Sequence, residues 1–226
     1  MSKPRTLAPR PRDTTRPHDG ATPDTHEDSS RERIHQSALR LFSRYGYDGV
    51  SLQMIADDVG LHKSSLFHHY TGKLELMSDA VQDVISRLLS LLQPFLAQHE
   101  EPSLETLYDA MMHVVDHFSE QPDDARLLVT IMTAPKGSEV ARLASDARTA
   151  SFYVQLSQWL ESARARGIIR RTSIRQTIPN LVGIILFYPA VANELSEVVG
   201  PSAFSPRARE IRKDEVVRLL KALFVP

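Results

Sequence analysis

From residue 30 almost to the end of the chain, apolar residues recur at intervals of three and four, and no stretch of useful length alternates as a strand would. Ile34, Ala38, Leu41, Phe42 and Tyr45 draw one stripe and predict a helix that Ser29 or Ser30 can cap and Gly46 stops. Leu52, Ile55, Ala56 and Val59 predict a second helix with Ser51 at its N-cap. Gly60 then breaks the chain, a third short helix runs from Leu61 to near Tyr70, and Thr71-Gly72 make another break.

Longer helices follow. Leu74, Met77, Val81, Val84, Ile85, Leu88 and Leu92 mark one that Pro94 ends or kinks; Leu104, Leu107, Met111, Val114, Val115 and Phe118 mark the next. The segment 123–133 is apolar on several sides and should be buried. A single long helix is expected over 138–166, ending at Gly167, then one over 174–199, bent at Pro189, and one over 207–224. The predicted fold class is all-α, with no internal repeat.

Residues 1–29 stand apart. Pro4, Pro9, Pro11, Pro17 and Pro23 lie among Arg, Thr and Asp, with little to join a core, so a disordered tail is expected. Its start is basic (Lys3, Arg5, Arg10, Arg12, Arg16) and its end acidic; it reads either as an arm for a DNA groove or as a tail without consequence. The N-terminus shows no apolar stretch of a secretory leader, and the longest apolar run, 181–192, is too short for a bilayer. A cytoplasmic protein with no membrane partner is expected. A net charge of −1 excludes a chain wholly devoted to polyanions but not a local basic surface. With no cysteine, disulfides, thiolate zinc sites, iron–sulfur clusters and thiol sensing are excluded.

The informative segment is SLQMIADDVGLHKSSLFHHYTGK, residues 51–73. Two short helices either side of Gly60 make a helix-turn-helix, in which the first braces the second in a major groove. Ile55, Ala56, Val59, Leu61, Leu66 and Tyr70 can bury together, leaving Lys63, Ser64, Ser65, His68 and His69 outward as donors to phosphates and base edges. Lys73 opens the next helix, whose free amides also favour an anion. No acidic residue lies between His62 and Lys73; Asp57 and Asp58 sit back on the bracing helix.

Over about 31–77 the chain resembles the TetR family, in the leader ALRLFSRYGYDGVSLQMIA, the turn VGLHKSSLFHHY and the following TGKLEL. The resemblance implies a three-helix DNA-binding domain (30–77) and a larger helical effector-binding and dimerisation domain (78–226). It implies a homodimer paired through its last two helices, double-stranded operator DNA as partner, and Lys73 on a phosphate. The DNA-binding set is Ser51, Gln53, Lys63, Ser64, Ser65, Phe67, His68, His69 and Lys73. Three residues depart from the family pattern: Phe67 stands for Tyr and loses a hydroxyl, His62 stands for a capping Ser or Thr, and Val59 for Ala.

In the C-terminal part Met111, Met112, Phe118, Met132, Phe152, Tyr153, Trp159 and Phe187 are candidates for an apolar effector pocket, which the resemblance implies; such residues at helical spacing also serve as plain core. His113 and His117, one turn apart, could share a metal, but they fall off the stripe of Leu107, Met111 and Phe118, so a solvated face is expected and no metal or cofactor. Arg164, Arg166, Arg170 and Arg171 read as structural, near a helix C-terminus. No nucleophile elbow or phosphate-cradling glycine run supports an enzyme. The expectation is a repressor released by a small apolar effector; the alternatives are a regulator without such an effector, or a helical scaffold or enzyme reusing the motif.

Overall fold

The computed structural model describes residues 23–97, 101–144, 147–200 and 202–225, and every regular element among them is a helix. Helix α1 (Pro23–Gly49) begins before the expected Ser29–Ser30 start, so residues 23–29 are helical rather than tail; residues 1–22 lie outside the described residues. Gly46 interrupts α1 at φ 69°, a left-handed angle that only glycine takes without strain, and one further turn reaches Gly49. Ile34, Ala38, Leu39 and Phe42 form the buried stripe. Tyr45, expected on that stripe, is 50% exposed, with Arg44 over its ring.

Helix α2 (Leu52–Asp58) packs on α1 and on α3 (Lys63–Leu66), and Ile55, Ala56, Val59 and Leu66 are buried there. Helix α4 (Lys73–Leu96) joins the two halves of the molecule. It contacts α1 at one end and the C-terminal helices along its length, and Pro94 sits in its last turn without ending it before Leu96.

Ser103 caps α5 (Leu104–Glu120), accepting from the Thr106 amide at 3.1 Å. Helix α6 (Pro122–Met132) starts on proline followed by Asp123 and Asp124, the signs that suit a helix N-terminus, and buries Leu127, Leu128 and Ile131 as expected. It lies between α1 and α9, so the C-terminal helices hold the N-terminal ones directly.

Two elements, α7 (Glu139–Leu143) and α8 (Ala147–Ala165), replace the single helix expected over 138–166. Helix α9 (Ile174–Val191) ends soon after Pro189, and a turn leads to α10 (Ser196–Val199), so 174–199 is not one bent helix. The last helix, α11 (Pro206–Phe224), buries Val216, Leu220 and Phe224 and packs on α5. Arg170 ties down its end, donating its amide to Phe224 O and its Nε to Val225 O, both at 2.8 Å. One core runs from Ile34 to Phe224 across both halves. Among the described residues no helix is long and apolar enough to cross a membrane.

Candidate nucleic-acid interface and ligand cavity

The outward edge of the N-terminal unit is set by what braces it. Ser51 Oγ accepts from the Met54 amide at 3.2 Å and caps α2, as its position predicts. From α1, Arg33 donates to the Val59 carbonyl at the end of α2, while Ser37 and Arg40 both reach Asp58. These three residues carried no sequence signal beyond lying on the helix that precedes the helix-turn-helix. Their effect is to pair one carboxylate of the bracing pair with α1. The other, Asp57, accepts from Gln53 Nε2 at 2.7 Å.

Gly60 takes φ +68° and reverses the chain into the second helix. The recognition helix is shorter than the 61–70 span expected: α3 proper covers four residues, and tight turns carry the chain through Phe67, His68 and His69 to Tyr70. His62 occupies its N-cap without a side-chain bond, the weaker cap its sequence implies. Lys63, Ser64, Phe67 and His68 are exposed, Ser65 and His69 half-buried, and Leu66 and Tyr70 buried. The segment therefore presents donors and one bare phenyl ring outward, and anchors itself through Leu66 and Tyr70. Burial, with Asp79 adding to it and Arg31 opposing, pushes the Tyr70 hydroxyl up to about 12.

Lys73 is more engaged than the sequence suggests. Its Nζ donates to Tyr47 O at 2.9 Å and Val50 O at 3.0 Å, and lies 4.1 Å from the Tyr47 ring centre. An ammonium has three N–H donors, so one is left for a phosphate. Beside it, Glu75 accepts from both the amide and the hydroxyl of Thr71, bonds that hold its carboxyl below the usual range and fix the turn into α4.

Between α4, α5, α6, α8 and α9 lies an apolar cavity of about 170 Å³. Met111, Phe118, Met132, Phe152 and Tyr153 line it as expected, together with residues such as Leu88, Leu92, Leu128 and Leu186. Three candidates do not. Trp159 is fully buried behind Phe95, ring centres 4.5 Å apart; Met112 packs against the core elsewhere; Phe187 is 61% exposed. The polar side chains in the lining are Thr149 and Tyr153, and burial pushes the Tyr153 hydroxyl up. Among the described residues no charged side chain lines the cavity.

His113 is exposed, its Nδ1 against the Asp109 carbonyl at 2.8 Å. His117 is not on a solvated face: its Nε2 lies 2.9 Å from Asp124, a carboxylate 1% exposed. No cluster of three or more potential metal ligands occurs among the described residues. Of the basic group at 164–171, Arg164 donates to Thr172 O and Arg170 to the end of α11, both internal contacts.

Residues 34–80, the region that holds α2, α3 and the start of α4, match the sequence profile of the bacterial regulatory proteins of the tetR family. Over that region the chain is similar to this family. The biofilm operon icaADBC HTH-type negative transcriptional regulator IcaR of Staphylococcus epidermidis is 29% identical over 107 residues, which is 47% of this chain and 55% of that protein. Its Staphylococcus aureus counterpart is 26% identical over 109 residues, with the same shares. The chain thus spans about half the length of the curated relatives it matches. Among solved structures, a TetR-family regulator from Streptomyces coelicolor A3 is 25% identical, with 83% of this chain and 88% of that one aligned at a TM-score of 0.61. A putative transcriptional regulator from the same genus aligns over 86% and 98% at a TM-score of 0.64, with 18% identity, and bears out the all-helical fold.

Proposed function

We propose that this chain is a regulator of the TetR type, a sequence-specific DNA-binding transcriptional repressor that a small apolar effector releases from its operator. The observation that carries the reading is the outer edge of α3 and its following turns. Lys63, Ser64, Phe67 and His68 face solvent there, while the Asp58 carboxylate is paired with Ser37 and Arg40 of α1. Such an edge offers donors suited to phosphates and base edges, and the pairing of Asp58 with Arg40 offsets its negative charge. Ser51 and Gln53 at the start of α2, and the remaining N–H of Lys73, are the flanking backbone contacts in this reading.

The cavity supports the effector. With mostly hydrocarbon walls and no charged side chain among the described residues that line it, it favours a neutral apolar compound by burying its surface at roughly 25 cal/mol per Å². A cavity of this size accepts a ligand on the scale of one aromatic ring. Effector and operator then oppose each other reciprocally, because each favours one state of a shared equilibrium.

The operator-bearing unit is a homodimer formed through α9 and α11. Phe187 on α9 and Ile211 and Leu219 on α11 are 61%, 55% and 44% exposed, large apolar side chains with no cover in a single protomer. Val216, Leu220 and Phe224 on the other face of α11 belong to the protomer core.

Selection of bound duplexes from a random pool, followed by titration with toluene, naphthalene and citrate, tests the reading. We expect a defined consensus, release by an apolar compound, and no effect of citrate. Release by citrate alone would contradict the effector; recovery of no consensus would contradict the operator.

A further inference from the structure

A continuous line of polar side chains runs from the recognition segment to the cavity wall. Tyr70 Oη donates to Asp79 Oδ2 at 2.9 Å, and the same oxygen faces Arg31 and His35 Nδ1, each at 3.5 Å. The other ring nitrogen of His35 meets Asp83 Oδ2 at 3.0 Å. Arg87 bridges Asp83 to Asp124, placing Nη2 at 3.0 Å from both oxygens of Asp124 and Nε at 3.3 Å. His117 Nε2 closes the line at 2.9 Å from Asp124. Its members come from α1, α4, α5, α6 and the turn before α4.

The line is under mechanical constraint at both ends. Asp124 is buried, and a buried carboxylate is tolerated only while its partners hold position, so Arg87 and His117 must follow any movement of α6. Phe118, whose ring centre is 5.3 Å from that of His117, lines the cavity, as do Leu128 and Ile131 one and two turns beyond Asp124 on α6. At the far end Tyr70 is the buried anchor that follows the exposed DNA-facing residues.

We infer that this hydrogen-bonded line, from His117 and Asp124 through Arg87, Asp83, His35 and Asp79 to Tyr70, positions the recognition segment according to the state of the cavity wall. The inference rests on reading the two regions as coupled sites, but its test needs neither operator nor effector. In the full chain, a double-mutant cycle of Tyr70→Phe with Asp124→Asn is measured by urea unfolding, with Trp159 fluorescence as reporter. A second cycle uses Arg87→Lys, a milder change that keeps the charge but loses the two-oxygen bridge.

Tyr70 and Asp124 share no hydrogen bond, and independent sites combine to within a factor of about two. We expect both cycles to depart from additivity by more than about threefold in the folding equilibrium constant. A control cycle of Tyr70→Phe with Leu160→Ala, a buried residue of α8 that belongs neither to the cavity lining nor to the line, should be additive. Hydrogen exchange should accelerate at residues 61–70 in Asp124→Asn and not in Leu160→Ala. Additive behaviour in both test cycles, or equal acceleration in Asp124→Asn and Leu160→Ala, overturns the inference. Duplex binding by the wild-type protein would then still stand on its own.

Discussion

Lys73 donates to two backbone carbonyls and lies over the Tyr47 ring, so its removal costs structure as well as charge. Lys73→Ala is expected to lose about 1–3 kcal/mol of stability in urea, the scale for hydrogen bonds to a charged group. It should also weaken binding to all duplexes alike and lower the slope of log affinity against log salt by about one. A lower slope at unchanged stability would place the ammonium on DNA alone. Tyr70 supplies a pH dependence. Its folded pKa of about 12 exceeds the ordinary 10.0, so above pH 10 the unfolded chain ionises first and the native state holds more protons. The contribution is complete below pH 10 and is lost as pH climbs toward 12. In Tyr70→Phe the fall in stability over that window should be shallower by up to about 1.4 kcal/mol per pH unit. Equal slopes in the two proteins would mean that Tyr70 ionises as freely when folded as when unfolded.

At the scale of elements, Ser51, Gly46 and Gly60 announced the caps and breaks of the N-terminal unit because each acts through its own backbone geometry. The apolar face of α2 was legible for the same local reason. What escaped was set by distant partners. His117 lies off the stripe of its own helix, and nothing near it in sequence shows that Asp124 arrives from α6 to meet it. Trp159 and Phe187 have the composition of a pocket wall, yet one fills the core behind Phe95 and the other faces solvent, since a cavity is a gap between helices rather than a property of any one. The exposed residues of α3 yield a prediction at this scale. Substituting Lys63, Ser64 or Ser65 by Ala should change base preference, by about 1–3 kcal/mol where a good base contact is lost. An unchanged consensus from selection with all three variants would count against this docking.

For the whole molecule, the all-helical fold class and the helix-turn-helix were readable in advance, whereas the division of α11 into a buried and an exposed apolar face was not. Its buried residues serve the contact with α5, and the exposed ones carry the assembly surface proposed above. Phe187→Glu and Ile211→Glu should therefore yield monomers in light scattering while the far-UV spectrum stays helical; stable dimers in both would place the interface elsewhere. Duplex binding should weaken with dimerisation, because two recognition segments on one rigid assembly engage DNA far better than one. The central claim is tested most directly by titrating wild-type protein onto a selected duplex at several salt concentrations. The account predicts saturable binding that is much tighter than to a scrambled duplex and a log affinity that falls linearly with log salt. Equal affinity for the selected and scrambled duplexes, or no binding even at low salt, would contradict it.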